Sequence, residues 1–542
     1  MAVHRLRAPT TDGALLAEPP LGAAEQTVAA NADRLARWNH DFQGRRADRL
    51  RSMARIQVLD RAAGFLRGAG LELPAGDIKT PPAHLVVTGH QPELFHPGVW
   101  VKNFAAAAIG RRVGGVGLNL IVDNDLLKSP GIRVPRLVGR SLRVERVEFD
   151  EWRGEVPYED LVVSNEATFA SFAERVRTRL PDTIVDPLID EFWPHATGHA
   201  RRVTDRIGYR FAIARHLVER SFGANNFEVP LSALCETEAF LWFVCHLLAH
   251  LGRFQVVHNE ALEGYRAVYG IRSRHHPVPD LGREGEWLEA PFWVWRHGQP
   301  RRRPLLVRPR AQTMQLRIGG EVEPLLELAL SADREACCAV EQLQSLPAQG
   351  VRLRTRALTT TMFGRLLLGD LFLHGIGGAK YDELGDDIVR GFFGFEPPTY
   401  MTMSMTLWLG LGDAPGAAAR LAQVDRALRD VEWKPEQWLD PSVDPQVRAC
   451  VETKRAAIAG PVQSYSQRLE RFLTIRRCNE RMQAWVAGRR EMLLAERAGV
   501  LDDARRDGVA RSREFAMVLH SRRKLAEALH QAIPGLAEAR LE

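Results

Sequence analysis

The chain has 542 residues, 45% apolar and 26% charged, enough to bury a large core and to form two or three domains. A net charge of +6 is too small a surplus in so long a chain to indicate a nucleic-acid partner, and no stretch approaches the roughly 20 uninterrupted apolar residues of a membrane span. The opening MAVHRLRAPTTDG lacks a secretory apolar segment and the six cysteines (Cys235, Cys245, Cys337, Cys338, Cys450, Cys478) show no CxxC spacing, so the expectation is a cytoplasmic protein with reduced thiols and neither zinc ribbon nor disulfide framework.

From about Gln26 to Gly70 the chain is rich in Ala, Leu and Arg at helical spacing. The next stretch, His84 to Asp125, organises the rest. Leu85 to Thr88 form a short apolar run broken by Gly89, an Ala-rich helical pattern follows Pro97, and a second run, Leu118 to Val122, stops at Asp123. Strand, loop, helix, strand makes a right-handed crossover, so Thr88-Gly89-His90-Gln91 and Asp123-Asn124-Asp125 emerge at the carboxyl edge of a parallel sheet, where α/β folds bind ligands. His90 and His96 flank a Pro-containing turn and suit proton transfer and charge stabilisation near neutral pH. The spacing matches the HxGH signature of nucleotidyltransferases in part, since Val99 stands where the second His belongs. Asp123 and Asp125 could bind a metal or accept the amine of a substrate and its proton; the alternative is turn formation before Ser129-Pro130.

Further on, Leu142 to Phe149 is another short strand and Glu166 to Leu251 reads as helical. Phe254 to Val257 is a third apolar run, expected as a strand ending in His258-Asn259-Glu260. Trp287 to Leu328 is expected to be an antiparallel hairpin or meander turning at Gly298-Gln299-Pro300, with Trp293, Trp295, Arg308 and Arg310 as a stacking and anion-binding wall or as ordinary hairpin packing.

The second diagnostic segment is RTRALTTTMFGRLLLGDLFLHGIGGAKYD, with Arg356 and His374 among its polar residues. Thr359 or Thr360 can cap a helix that stops at Gly375-Ile376-Gly377-Gly378, and a new helix starts near Ala379. A glycine loop opening into a helix offers unpaired N–H groups to a phosphate, with Lys380 adding charge. The order is not that of the Walker loop, and no strand clearly precedes it. Asp382 and Glu383 in the first turn compete with a bare phosphate, which a bridging Mg²⁺ or a substrate amine would reconcile; a nucleotide with Mg²⁺ is therefore the cofactor this segment allows. Only seven lysines occur, and three of them, Lys102, Lys128 and Lys380, fall in these motif regions. Pro445 to Leu529 is mostly long helices with breaks near Gly460-Pro461 and Gly499, without strict heptads, so a helical hairpin packed on itself or on a second subunit is expected.

TGHQPELFHPGVWVKNFAAAAI resembles the glycine turn of the cysteine-adding enzyme of bacillithiol biosynthesis, and the later glycine segment resembles the same family, with Tyr381 at the matching place. GHQPELFHPG is also similar to the start of WbqC-like proteins of surface-sugar biosynthesis, which leaves the acceptor open. The resemblance implies an α/β fold with a Rossmann-like, nucleotidyltransferase-type parallel core, a helical C-terminal region able to dimerise, and condensation of a small amino acid with a sugar- or nucleotide-linked acceptor. It places Thr88, Gly89, Gln91 and Lys102 in a first site, and Gly375, Gly377, Gly378 and Tyr381 in a second. The expected domains are 1–80, an N-terminal helical element; 81–400, the core with an insertion at about 160–350; and 401–542, the C-terminal helices. His90, His96, Asp123 and Asp125 are the expected catalytic groups. Asn124, His258, Asn259, Arg356, His374, Lys380 and Asp382 join the binding set. A transferase or ligase acting on small molecules, without nucleic acid or membrane and as a homodimer, is the leading expectation. A non-catalytic metabolite-binding relative and a nucleotidyltransferase are the alternatives.

Overall fold

The computed structural model describes residues 6–74, 82–139, 141–273, 275–412, 415–442 and 444–536. Strands are numbered along the chain. Six of them form the central sheet: β1 Leu15–Glu18, β2 Leu85–His90, β3 Val116–Ile121, β6 Phe227–Pro230, β13 Leu371–His374 and β14 Met401–Met405. The spatial order is β1-β14-β13-β2-β3-β6, with β1 antiparallel to β14 and every other pairing parallel. Counted along the chain, the five parallel strands thus lie third, second, first, fourth, fifth. The fold is α/β with a parallel sheet at its centre.

Strand alternation splits the core into two layers. Leu85, Val87, Leu118, Leu120 and Phe372 face one core, covered by the helices Ala47–Gly68 and Glu238–Ala249. Val86, Leu371, Leu373 and Met403 face the other, covered by the helix Pro97–Arg112. That helix has no exposed side along most of its length: Trp100 through Gly110, Lys102 and Asn103 included, are buried without a break, because it is wedged between the sheet and the C-terminal segment. It approaches β3 so closely that a Cβ on Gly110 would lie 2.7 Å from the Gly117 nitrogen.

The insertion between β6 and β13 carries a second, antiparallel sheet ordered β11-β10-β9-β8-β12. Its strands are β8 Trp287–Arg296, β9 Gln299–Pro309, β10 Met314–Ile318, β11 Leu326–Leu328 and β12 Val351–Thr355, and the short β7 Arg283–Glu284 pairs with β8. The expected hairpin is therefore two strands of a larger sheet. Its turn is His297-Gly298, one residue earlier than expected, with Gly298 at φ +77° and Arg296 paired to Gln299. β12 runs straight into Arg356 and the helix Ala357–Phe363, which carries this sheet to the edge of the central one. A separate ribbon, β4 Gly131–Val138 and β5 Ser141–Glu148, matches the strand expected at Leu142 to Phe149.

Several expectations change. Phe254 to Val257 lies inside the helix Leu251–Tyr269, where Phe254, His258, Leu262 and Tyr265 share the buried side; a four-residue run, three of it apolar and Gln255 polar, fits a helical turn as well as a strand. The stretch from Glu166 to Leu251 contains β6 among its helices, and the N-terminal helical element also supplies β1. Gly375 does follow a strand: the helix Ala357–Phe363 passes through a π-helical turn, Gly364–Leu368, and the chain extends as β13 before Gly375. The next helix, Ile376–Phe393, starts three residues before Ala379. The helices Ala417–Trp433, Pro445–Ala459 and Tyr465–Ala510 form a projection packed on itself around two small cores. The last of these has 46 residues and continues through Gly499, one interior glycine costing only about 1 kcal/mol. The chain then returns to the core through the helix Arg522–Ala532. Among the described residues no single helix is long and apolar enough to cross a membrane.

Candidate functional site

At the carboxyl ends of β2 and β13 the connections diverge. β2 leads toward β3 and β6, whereas β13 leads toward β14, and a crevice opens between the two loops. Two chambers occupy it. The first, of about 720 Å³, is lined by the loop after β2 (Gly89, His90, Gln91, His96), by Lys102, and by the turn after β13 (His374, Gly375, Gly377, Gly378, Lys380, Tyr381). The second, of about 260 Å³, is lined by Asn124, Asp125, His258, Trp293, Arg302 and Arg356 together with an apolar floor. Gln91, Val122, Ala357 and Thr360 belong to both and form the boundary between them. Segments up to about 290 residues apart thus deliver most of the expected site residues to one cleft.

In the first chamber the helix Ile376–Phe393 points its N-terminus at the cavity. Its first internal bond runs from Ala379 N–H to Gly375 O, and the Gly375 cap offers no side-chain acceptor, so the N–H groups of Ile376, Gly377 and Gly378 have no intrahelical partner. No acidic residue lies in the first turn. The objection raised by Asp382 and Glu383 disappears with the earlier helix start: Asp382 turns inward to Thr361, Arg365 and His374, and Glu383 accepts from Tyr269. A Cβ on Gly375 or Gly377 would meet nothing within 4 Å, so the missing side chains leave the amides open rather than relieve a clash.

Besides the exposed Arg7, three cations add to this field. Lys102 is only 3% exposed and donates to a single acceptor, Gly89 O at 3.1 Å; burial pushes its pKa down to about 8. Lys380 lies at the rim. Arg513, from the segment returning after the 46-residue helix, donates to Ser404 Oγ at 2.7 Å, while its Nε and Nη1 are buried without a hydrogen bond. Gly98 makes room for it, since a Cβ there would overlap the guanidinium and the Met405 carbonyl.

The two histidines differ in what they present. His90 donates from Nδ1 to Gln91 O at 3.2 Å, which leaves Nε2 as a lone pair; burial, helped by Lys102, drives its pKa down to about 3. His96 caps the helix Pro97–Arg112 by accepting the Gly98 N–H on Nδ1 at 3.1 Å, so its proton is on Nε2, 3.8 Å from Glu514; burial lowers its pKa to about 4. At neutral pH one ring offers an acceptor and the other a donor. Behind them His374 is buried with Nε2 at 2.7 Å from Asp382, and burial keeps its pKa below the ordinary range. Against burial, His374 and Arg365 hold the Asp382 carboxyl at about 2.

Not every expected residue reaches the cleft. Asp123 lines neither chamber: it is fully buried, and its carboxylate accepts from Ser232 N–H (2.9 Å), Ser232 Oγ (2.5 Å) and Tyr209 OH (2.9 Å). Burial raises its pKa to about 6. Asp125, two residues on, does reach the cleft and ties it together, accepting from Gln91 at 2.7 Å and pairing with Arg302 at 3.0 Å. Thr88 is spent within the sheet on Leu373 O. Asn259 holds Leu281 and His258 and faces neither chamber. Of the supposed aromatic and basic wall, only Trp293 lines a chamber. Trp295 is buried against Asp160, Arg308 pairs with Gln315 and Glu286, and Arg310 with Glu286. Arg302 and Arg513 were missed, one being the middle of an undifferentiated Arg run and the other remote in sequence from every motif. Elsewhere His216, Glu219 and Glu228 form a buried cluster of metal-ligand type, but both carboxylates are already bonded by Arg215.

The chain matches no family model, and no curated protein matches it significantly.

Two outcomes follow from the buried charges. Replacing Asp123 by Ala leaves three buried donors unpaired and should cost about 2–4 kcal/mol in urea denaturation, marking a structural role. With the Lys102 pKa at about 8 in the folded chain against an ordinary 10.5, the unfolded chain binds more protons between those pH values, so this group's contribution improves as pH rises through that window and is least favourable below it. Lys102→Met should therefore stabilise the protein at pH 7 by on the order of 1–3 kcal/mol and flatten the rise in stability above pH 8, read from urea melts across pH.

Proposed function

We propose that the protein is a transferase or ligase joining a small amine or amino acid to a phosphate-bearing sugar- or nucleotide-linked acceptor, on a Rossmann-like core of nucleotidyltransferase type. The reading follows the two motifs that resemble the bacillithiol cysteine-adding enzyme. What carries it is that both motifs, one after the first parallel strand and one after the fourth, line the same cavity. The third-second-first-fourth-fifth strand order supports the core type, because ligands of such sheets sit where the order reverses.

In this reading the acceptor phosphate rests on the N–H groups of Ile376, Gly377 and Gly378, with Lys102, Lys380 and Arg513 as countercharge. His96 Nε2–H stabilises developing negative charge and His90 Nε2 receives a hydrogen bond or proton from the incoming group. Among the described residues Glu514 is the only carboxylate lining this chamber, Asp382 and Glu383 being engaged elsewhere, so the residues do not fit direct Mg²⁺ coordination and no step is routed through a metal.

One observation favours a second reading, binding without turnover: of the expected catalytic carboxylates, Asp123 is locked into the core and Asp125 is held by Gln91 and Arg302. Mass spectrometry of mixtures of amino acids with sugar phosphates and nucleotides separates the two. A new condensed product supports the enzyme; bound, unaltered ligands support the binder.

The site itself is tested by Gly377→Val, whose side chain enters open space and so leaves stability nearly unchanged while covering the amides. Pyrophosphate binding measured by calorimetry should weaken about tenfold or more, roughly 1.4 kcal/mol; unaltered binding would remove the proposed cradle. The same reading makes the projection a dimerisation arm, supported by Tyr465, Leu469, Phe472 and Leu473, exposed at helical spacing on one side of the long helix. Light scattering should give twice the chain mass, and a monomer at micromolar concentration would dispose of the arm.

A further inference from the structure

The two chambers carry different electrostatics. Lys102, Lys380 and Arg513 against Glu514 make the first positive, as an anionic ligand requires. In the second, each guanidinium already has a carboxylate. Arg302 pairs with Asp125 at 3.0 Å and Arg356 with Glu289 at 2.7 Å, and both pack on the Trp293 ring, at 5.3 and 4.1 Å from its centroid. This chamber is thus close to neutral overall yet lined by charges of both signs, which selects a ligand that is neutral overall and dipolar.

Two side chains retain unmet hydrogen-bonding capacity there. Arg356 Nε is buried with no acceptor. His258 is only 4% exposed, and its Nδ1 donates to Asn259 Oδ1 at 3.1 Å, an oxygen pinned in turn by Leu281 N–H at 2.9 Å. The tautomer is thereby fixed, and Nε2 remains a lone pair on a ring that lines the chamber. The floor, formed by Phe254, Val278, Leu281 and Leu358, is apolar. At about 260 Å³ the space lies just below the roughly 300–1,000 Å³ of pockets that take drug-sized ligands, too small for a nucleotide.

We propose that this second chamber is the subsite for a zwitterionic α-amino acid with a short apolar side chain. Its carboxylate lies against Arg356, its ammonium is directed to Asp125 and His258 Nε2, and its side chain rests on the Phe254–Leu281 floor. The assignment rests on the condensation reading above and deepens it by naming the class of the amine. Gln91, which bonds Asp125 from the boundary, then stands where the amino group meets the acceptor held in the first chamber.

Calorimetry on the full chain tests this with L-leucine, L-valine, L-methionine and L-cysteine, each beside its amide and its des-amino acid. At least one amino acid should bind, with both analogues about tenfold weaker or worse, and His258→Ala and Arg356→Gln should each weaken it about tenfold. Should Arg356→Gln fail to fold, His258→Ala and the amide series decide. Amides binding as well as acids, or no amino acid binding at millimolar concentration, overturns the assignment. Pyrophosphate titrated into the same preparation separates the failures: if it binds and the amino acids do not, only this subsite falls, whereas if neither binds the condensation reading falls with it.

Discussion

The Asp370 carboxylate sets the register on which the site is built. Its Oδ2 accepts the Leu85 N–H at 2.9 Å, its own N–H donates to Leu85 O at 2.8 Å, and Arg51 and Arg55 close on it from the helix Ala47–Gly68 at 2.6 and 3.4 Å. This clamp sits where β2 and β13 begin, so it fixes Thr88 opposite Leu373 and makes the two strands end together. A slip of one residue would turn each strand's side chains to the opposite face and move His374 out of the crevice. The clamp is itself buried: burial pulls the Arg51 pKa down to about 10 even with Asp370 beside it. A charged pair in such a place is weak evidence for stability but a well-attested means of fixing register.

From that register the rest follows by connection. β2 leads into a helix whose cap is His96, and β13 leads into one whose cap is Gly375. The difference between the caps matters. His96 satisfies a helix amide with its own ring and so acquires a defined tautomer, whereas Gly375 satisfies none and leaves amides for a ligand. The insertion sheet adds the second chamber because β12 passes straight into Arg356 and the helix Ala357–Phe363. Asp125 and Gln91 then fasten the two halves across the cleft.

The segment from Leu85 to Asp125 was legible because each element there is long or sharply punctuated: a run ending at Gly89, a Pro at the first helical turn, a run ending at Asp123. Where runs were short, periodicity had no purchase. Phe254 to Val257 was read as a strand although it is a helical turn, yet His258 still reached the cleft, because helical spacing put it on the same buried side as Phe254. β13 has only four residues, too few for a period to register, and the Gly369-Asp370 break that separates it from the preceding π-helical turn is equally compatible with a continuing helix. Asp123 and Asp125 looked equivalent; what separates them is that Ser232 and Tyr209, more than 80 residues away, claim the first. Arg513 illustrates the remaining limit, since its role depends on a long helix returning the chain to the sheet edge.

The first chamber collects the places where this chain breaks the rules the rest of it obeys. Lys102 is buried with one hydrogen bond where three are possible, Arg513 keeps two buried nitrogens without a hydrogen bond although Glu514 lies 3.5 Å from Nε, and an 18-residue helix begins without a side-chain cap. Each alone has a bland explanation: a snorkelling lysine, a loosely packed arginine, an amide set satisfied by solvent. Together they share one chemistry: all three are donors lining one cavity, where the one unmet acceptor beside them is His90 Nε2. A single multivalent oxyanion would satisfy the ammonium, the guanidinium and the three amides at once, and unmet donors of this kind concentrate where a fold gives up stability for binding. The second chamber breaks no rule so uniformly; its unmet groups are one donor and one acceptor. In the proposed reading that predominance of donors, more than the volume of either cavity, marks the first chamber for an anion and the second for a dipole.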